Sequence, residues 1–201
     1  TISSTGAFQD FGDAVKKVEG ALGFSDSTRG IHTFGFQRTD WAYQTDLQVT
    51  TIATTGSTID GGFDADNDIH SAGAVCSSPV RGLFAGGNPG PSSAISYTGI
   101  QTLGNTSDFG DLTTSENEAC SMASNSVRGI YFAGSPNGSA TTNTISYITL
   151  TSLGNAQDFG DSVTTGRYSH STAASSTRAV RAGGYAAPAT YNIMDYVQIM
   201  T

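Results

Sequence analysis

The stretch LTSLGNAQDFGD, residues 150–161, decides the fold because the chain contains four related copies of it. Its relatives ISSTGAFQDFGD, IATTGSTIDGGF and IQTLGNTSDFGD align with it on Gly6, Gly56, Gly104 and Gly154. These glycines are 50, 48 and 50 residues apart, so four copies fill the chain of 201 residues. A period of roughly 20 to 50 residues is typical of proteins in which each copy forms one supersecondary unit.

A second marker has the same period: an arginine that precedes a short apolar stretch ending in glycine. A third is the run ISYITL, in which Ile145 and Tyr147 face one side of a strand and Ile148 faces the other. Because both faces carry apolar residues, the pattern predicts a sheet that is covered on both sides by its neighbours. The four arginines of the second marker are Arg29, Arg81, Arg128 and Arg178.

Within a copy, the enriched residues are Thr, Val, Ile, Tyr, Phe and Gly, and little helical periodicity is present, which favours strands over helices. In the third copy we predict strands over residues 117–125, 127–134, 144–151 and 154–162. The segment NSVRG between the first two predicts a hairpin turn. Each copy is therefore expected to form one four-stranded sheet.

Tandem four-stranded units of about fifty residues are typical of β-propeller blades. Thr1 falls at the same phase of the repeat as Thr201, so the last copy lacks a fourth strand, which residues 1–13 can supply. That pairing would join the first and last blades and protect their edges. We therefore predict one all-β domain over residues 1–201, a four-bladed β-propeller closed by its N-terminal strand.

Two alternatives to this closed ring are a four-blade portion of a larger propeller and a two-chain, eight-bladed ring. In both alternatives the repeated four-stranded units are the same as in the closed four-bladed ring. The predicted blades span residues 14–66, 67–113, 114–163 and 164–201, and residues 1–13 form the outer strand of the fourth blade.

The chain is poor in charge: only 13% of its residues are charged, and the formal net charge is −8 at pH 7. A surface of this sign repels nucleic acid and anionic membranes. No apolar run in the sequence approaches the ~20 residues that a membrane-spanning helix needs. We therefore expect no nucleic-acid partner and no membrane insertion. The two cysteines, Cys76 and Cys120, occupy different phases of the repeat, so we interpret them as small buried apolar residues.

The triplet Asp-Phe-Gly in the repeated stretch is also the magnesium-binding motif of protein kinases. A kinase needs in addition a glycine-rich loop, a strand lysine and a His-Arg-Asp loop, and the sequence contains none of these. One active site uses one such aspartate, whereas the triplet begins at Asp10, Asp108 and Asp158. We interpret it as a blade corner in which Phe fills space between blades, Gly permits the turn and Asp accepts backbone N–H groups.

The repeated arginines are expected to have partners because charged residues are scarce in this chain. We predict that they pair with Asp13, Asp111 and Asp161 of adjacent corners, since a guanidinium and a carboxylate satisfy each other bidentately. The alternative is a ring of arginines that binds an anionic ligand.

Residues 64–68, DADND, are the best candidate for a metal site, because Asp64, Asp66 and Asp68 alternate as the oxygen ligands do at the start of a calcium loop. Ile69 and Val75 stand where an EF-hand loop has glycine and glutamate. Ca²⁺ is therefore the one cofactor that we consider, with a solvated acidic loop as the alternative, and otherwise we expect no cofactor.

Variation between the copies is concentrated in the loops that join the second and third strands. Equivalent loops of repeated units lie on one face, and loops on a rigid scaffold often carry binding. The first such loop contains Arg38, Trp41 and Tyr43, which can stack on a sugar ring or insert into a protein neighbour. These three are our candidate ligand-binding residues, and the alternative is that Trp41 covers the blade edge.

The order of a double glycine, a tyrosine and a further aromatic, as at residues 86–87, Tyr97 and Phe109, resembles that of kelch repeats. More closely, residues 151–184 are similar to the tandem repeats of large structural proteins from tailed phages, especially marine ones. The resemblance covers most of the last two copies and is weaker in the first two. It implies a role in the virion or its tail, and it implies no catalytic residue.

We therefore expect a non-enzymatic structural or attachment module of a phage virion, in a tail, a fibre or a capsid-associated position. Its partners would be other virion proteins, further copies of itself or the host surface, and its location would be the virion. The alternative is a secreted, lectin-like β-propeller that binds cell-surface glycans. A third hypothesis is a hydrolase or oxidase built on the same scaffold, although no nucleophile motif in the sequence supports it.

Overall fold

The computed structural model describes residues 6–33, 35–65, 73–87, 89–116, 120–137 and 140–199. Within these ranges the regular structure is all β and contains no helix, so none that is long and apolar enough to cross a membrane. The strands form three four-stranded sheets, one three-stranded sheet and two small hairpins. The prediction of an all-β chain built from four-stranded antiparallel sheets is confirmed.

The first two sheets are each formed by consecutive parts of the chain, and every pair of neighbouring strands is antiparallel. The first sheet contains β1 (Gly23–Ser25), β2 (Arg29–His32), β5 (Asp46–Thr51) and β6 (Ile59–Asp64). Between β2 and β5 a hairpin is formed by β3 (Phe36–Gln37) and β4 (Ala42–Tyr43). The second sheet contains β7 (Ala74–Ser77), β8 (Arg81–Ala85), β9 (Ser92–Gly99) and β10 (Ser107–Glu116).

The third and fourth sheets repeat this order. The third contains β11 (Ser121–Ser124), β12 (Arg128–Phe132), β13 (Thr144–Thr149) and β14 (Gln157–Asp161). The fourth contains β15 (Ser171–Ala174), β16 (Arg178–Ala182) and β19 (Met194–Gln198). A second hairpin, of β17 (Tyr185–Ala186) and β18 (Ala189–Thr190), lies between β16 and β19.

All four copies share one hydrogen bond at the repeated corner, which is Asp-Phe-Gly in three copies and Asp60-Gly61-Gly62 in the other. In each, an aspartate Oδ1 accepts the N–H of the glycine two residues later, at 2.9–3.1 Å. The glycines have positive φ, and a Cβ on Gly110 would lie 2.6 Å from the carbonyl carbon of Gly154 in the next sheet. The predicted roles of Asp and Gly at this corner are therefore confirmed. Phe109 is buried against Tyr97, but Phe11 and Phe159 are exposed, so the prediction that the corner Phe fills space between sheets is wrong for these two.

The turn before each repeated arginine is closed by the side chain that begins it. In the third sheet, Asn125 Oδ1 accepts the N–H groups of Val127 and Arg128 at 2.9 and 2.7 Å, and the N–H of Asn125 donates to the carbonyl of Arg128. The predicted NSVRG hairpin turn is therefore confirmed. The equivalent side chains are Asp26, Ser78 and Ser175.

The core lies between consecutive sheets as three apolar clusters, one at each sheet-to-sheet contact. At the first contact the Phe24 ring fills the space over Gly82, where a Cβ would overlap it. At the second, Cys76 Sγ lies 3.0 Å from the place of a Cβ on Gly129. At both contacts a side chain of one sheet therefore packs on a glycine of the next. Cys76 and Cys120 are both buried, as expected.

Arg29 and Arg81 do not make the ion pairs that we predicted for them from the sequence. Arg29 Nη1 donates to the carbonyls of Ile100 and Gln101 in the next sheet, at 3.2 and 3.0 Å. Arg81 Nη1 likewise donates to the Leu150 carbonyl at 3.2 Å. The predicted pairing with corner aspartates is wrong for both. In the second sheet Arg81 pairs with Gly99, whereas Asp111 pairs with Ala94, five residues away along β9. The Arg81 guanidinium lies instead over the rings of Tyr97 and Phe109.

The N-terminal segment packs on the first sheet. The carbonyl of Phe11 accepts the N–H of Gly56 at 2.7 Å, and that of Asp13 accepts the N–H of Thr58 at 2.8 Å. We predicted that residues 1–13 complete the fourth sheet; residues 1–5 lie outside the described part, and residues 6–13 form neither a strand nor a backbone hydrogen bond with β19. In the described residues the fourth sheet therefore has three strands.

Candidate functional site

The candidate contact surface is the hairpin of β3 and β4, which we call the aromatic hairpin and define as residues 35–44. Phe36 on β3 pairs with Tyr43 on β4. The base of the hairpin is fixed to Glu19, because the N–H groups of Glu19 and Phe36 each donate to the carbonyl of the other at 3.0 and 2.9 Å. The hairpin is therefore anchored by backbone hydrogen bonds at its base.

Three aromatic rings of this hairpin pack edge to face. The Phe36 ring centroid lies 5.1 Å from that of Tyr43 and 6.0 Å from that of Trp41, with interplanar angles of 66° and 70°. Such pairs contribute to stability beyond the area that they bury. Trp41 is nevertheless 73% exposed. The structure thus brings together two of the predicted binding residues, Trp41 and Tyr43, on a shared aromatic base.

Trp41 has an unusual backbone conformation, with φ at 55°. This left-handed region costs a residue with a Cβ roughly 1–2 kcal/mol. Residues held there cluster at binding sites, where the strain is part of how a side chain is presented. Leu103 and Ser169 have the same conformation, with φ at 54° and 56°, so at Trp41 it marks the tight turn of the hairpin.

Arg38, the third predicted binding residue, is paired with Glu19. Its Nε donates to Glu19 Oε2 at 2.9 Å, and its Nη2 lies 2.7 Å from Glu19 Oε1. The hydrogen bond and the charge of Glu19 raise the pKa of Arg38. Both side chains are exposed, so salt screens this pair. Sequence reasoning missed Glu19 because it lies 19 residues before Arg38, in another loop.

The predicted metal residues lie only partly within the described structure. Asp64 ends β6; its N–H donates to Asn105 Oδ1 at 3.1 Å and its carbonyl accepts the N–H of Thr106 at 3.2 Å, which ties the first sheet to the second. Asp66 and Asp68 lie outside the described residues. In the parts of the chain that are described, no group of three or more His, Cys, Asp or Glu side chains is placed to hold a metal ion.

A buried charge cluster of Arg167, Arg181 and Asp195 was not predicted. Asp195 on β19 accepts hydrogen bonds from Arg181 Nε and Nη2 at 3.1 and 2.8 Å and from Arg167 Nη2 at 3.2 Å. Both arginine side chains are 1% exposed. Burial alone would raise the pKa of Asp195, but hydrogen bonds from Arg181 and Thr164 lower it to about 2. The cluster therefore stays charged and holds the fourth sheet together.

His170 lies next to this cluster and is buried. Its Nδ1 is 2.7 Å from Ser121 Oγ of the third sheet. Burial lowers the pKa of His170 to about 4, and the charges of Arg181 and Arg167 act in the same direction. The imidazole is therefore neutral near pH 7 and joins two sheets through a polar contact.

A signal for the charge cluster was present in the repeat. Arg181 pairs with Asp195 at the position where Tyr131 pairs with Ser146 in the third sheet. In the second sheet the same position pairs Phe84 with Ser96. A paired change from aromatic and serine to arginine and aspartate, at a buried position of one copy, indicates an ion pair.

Glu116 is a second buried charged residue that the sequence did not indicate. Its Oε1 accepts hydrogen bonds from the hydroxyls of Thr114 and Thr142 at 2.9 and 3.3 Å. Its Oε2 has no hydrogen-bond partner among the described residues. Burial raises the pKa of Glu116. The carboxyl group is therefore held more readily in its neutral form than an exposed one.

Comparison with known proteins gives no assignment: no protein-family model and no curated protein sequence matches the chain.

Proposed function

We propose that the chain is a non-enzymatic β-propeller, with the four sheets as blades, that serves as a structural or attachment module of a phage virion. The aromatic hairpin makes its contact with other virion proteins or with the host surface. The observation that carries this proposal is an exposed Trp41 on a hairpin anchored by backbone hydrogen bonds. The resemblance of residues 151–184 to tandem repeats of tailed-phage structural proteins supports a position in the virion.

The blade arrangement is supported by contacts that recur from sheet to sheet. The N–H of Asp64 at the first corner donates to Asn105 Oδ1 in the second sheet, at 3.1 Å. The N–H of Asp111 at the second corner donates to Asn155 Oδ1 in the third, also at 3.1 Å. Units that repeat one contact form a regular array, and in a propeller that array curves around an axis.

The aromatic hairpin is suited to recognition because it combines a large exposed ring with a fixed backbone. Tryptophan and tyrosine are enriched among the residues that dominate binding energy at protein interfaces. A surface that is already ordered loses little conformational entropy when it binds. Trp41 packs on Phe36, so the orientation of its indole ring is already restricted in the absence of a partner.

The test is Trp41→Ala, with Val80→Ala as the matched control because Val80 is also an exposed apolar residue in a turn. Val80→Ala should keep the melting temperature of the parent chain, and Trp41→Ala should lower it only slightly, because it removes one edge-to-face contact at the surface. We expect particles that carry Trp41→Ala to lose attachment or incorporation of the chain by about thirtyfold, since an interface hot spot contributes about 2 kcal/mol. Attachment and incorporation equal to those of Val80→Ala would contradict the proposal.

The exposed indole also favours a second candidate, a secreted carbohydrate-binding propeller, because it offers an apolar face beside a polar N–H. A glycan array probed with the purified chain separates the two. Saturable glycan binding that is lost in Trp41→Ala and kept in Val80→Ala supports the second candidate. Copurification with particles, without a glycan signal, supports the first.

A further inference from the structure

The first sheet has a face that the described part of the chain leaves uncovered. After the third strand of each sheet, an apolar residue donates its N–H to the turn before the repeated arginine, as Ile52 does to the Thr28 carbonyl at 2.9 Å. Ile52 is 43% exposed. Its equivalents Ile100, Leu150 and Ile199 are 0%, 2% and 1% exposed. Those three pack in clusters with the preceding sheet, and Ile52 is in none of the three clusters.

A groove of about 670 Å³ lies on this uncovered face, between the N-terminal segment and the first sheet. Its lining includes Phe11, Ile52 and Gly30. Gly82 and Gly129 receive a side chain from the preceding sheet, whereas a Cβ on Gly30 would meet only atoms of its own sheet. The groove is therefore the place that a preceding sheet occupies at the other contacts.

The N-terminal segment already occupies part of that place. Gly56 and Thr58 donate their N–H groups to residues 11–13. In the third sheet, Gly154 and Ala156 donate theirs to the corner of the second sheet in the same way, at 2.9 and 2.7 Å. Residues 11–13 thus occupy the position that the outermost strand of the preceding sheet has at the other contacts. The other three strands of such a sheet are not present there in the described part of the chain.

The fourth sheet consists of three such strands, β15, β16 and β19. β19 is its last strand, and Met194 on it is 70% exposed. The guanidinium carbon of Arg178 lies 4.3 Å from the Tyr196 ring centroid, as that of Arg81 lies 4.6 Å from Tyr97. From this position Arg81 donates to a carbonyl of the following sheet. Arg178 is therefore oriented to bind a following sheet in the same way.

We propose that the fourth sheet of a second copy of this chain fills the uncovered face of the first sheet, and that β19 of one copy pairs with the N-terminal segment of the other. The proposal rests on the propeller arrangement proposed above and not on the role of the aromatic hairpin. The third sheet provides the register, since Tyr147 pairs there with Gln157. By equivalence, Tyr196 of one copy lies opposite Gln9 of the other.

The partner is a second copy because the first and fourth sheets are not paired within the described part of one chain. Among the described residues, no hydrogen bond or strand pairing joins the first sheet to the fourth. The contact is head to tail, and such contacts generate closed rings when the rotation between subunits closes. Two copies that exchange these surfaces cover both uncovered faces and form a ring of eight sheets, four from each chain.

The first test is disulfide cross-linking between separate chains. A chain carrying Gln9→Cys is mixed with one carrying Tyr196→Cys and oxidised mildly. We expect a mixed two-chain product, in which peptide mass spectrometry locates the disulfide between the two introduced thiols. Leu153→Cys replaces Tyr196→Cys in the control, which should give no mixed product above background. If no mixed product forms, or if a chain that carries both Gln9→Cys and Tyr196→Cys forms the disulfide within itself, the proposal is overturned.

The second test is the mass in solution, measured by light scattering. The parent chain should have the mass of two chains at micromolar concentration, and Ile52→Asp the mass of one with an unchanged circular dichroism spectrum. Ile59→Asp is the control, since Ile59 is exposed on β6 and does not line the groove. A parent chain with the mass of one chain overturns the proposal. Trp41→Ala should keep the two-chain mass, so the two proposals fail separately.

Discussion

Arg181 holds Asp195 by two parallel hydrogen bonds, from Nε to Oδ1 at 3.1 Å and from Nη2 to Oδ2 at 2.8 Å. Arg167 donates to the same carboxylate at 3.2 Å. Since both guanidinium groups are buried, this one carboxylate is their common counter-charge. Removing one partner of a buried ion pair leaves a charge without compensation, which is strongly destabilising.

Asp195→Asn is therefore expected to lower the free energy of unfolding by about 3 kcal/mol, because it leaves two buried cations with no carboxylate. Urea unfolding followed by circular dichroism measures the change. Asp161→Asn is the control, since Asp161 is exposed, and should change stability by less than about 0.5 kcal/mol. Equal stability of the two variants would show that the charge cluster does not hold the fourth sheet.

The same carboxyl group should make the fold sensitive to acid. Its pKa falls from the ordinary 3.8 to about 2 on folding. Because the pKa is lower in the folded chain, its contribution to stability is present above pH 3.8 and is lost as the pH falls through about 2. We expect the melting temperature of the parent chain to fall more steeply than that of Asp195→Asn across this range. If the melting temperatures of the two chains fall in parallel as the pH is lowered, Asp195 is not the cause of the acid sensitivity.

Glu116 should act with the opposite sign. Burial raises its pKa, so this group favours the folded state at low pH and opposes it increasingly as the pH rises above the ordinary range of a glutamate. Glu116→Gln keeps an oxygen for Thr114 and Thr142 and cannot ionise. We expect it to raise the free energy of unfolding by about 1 kcal/mol at pH 8 and by less at pH 4. A loss of stability at pH 8 would contradict this assignment.

Gly82→Ala tests the packing of the first sheet on the second. Its Cβ would overlap the Phe24 ring, so we expect a loss of about 2 kcal/mol in the free energy of unfolding. Gly90→Ala is the control, because a Cβ there meets no atom within 4 Å. Phe24→Ala should cost less in the Gly82→Ala background than in the parent chain. Additive losses would mean that the two residues do not touch.

The parts of the fold that depend on local sequence could be predicted. Strands expected over residues 127–134 and 144–151 are found at Arg128–Phe132 and Thr144–Thr149. The Asp-Phe-Gly corner could be predicted because the aspartate accepts a hydrogen bond from a backbone N–H only two residues away. Such local sequence patterns recur from copy to copy, so the structure inferred for one copy supports the structure inferred for the others.

Contacts between distant residues could not be read from the period. The repeated arginines and the corner aspartates recur with the same period, yet the register places Arg81 opposite Gly99 and Asp111 opposite Ala94, five residues apart along β9. The Arg38–Glu19 pair joins two loops whose spacing carries no signal. The Arg181–Asp195 pair was visible only as a departure from the repeat, at positions that are aromatic and serine in the second and third sheets.

The central claim is that the four sheets are equivalent blades around one axis. A crystal structure of the purified chain tests it most directly. We predict that β1, β7, β11 and β15 lie nearest a common axis and that each sheet packs on the next by the contact seen between Phe24 and Gly82. Sheets stacked along a straight line, or these four strands facing outward, would contradict the claim.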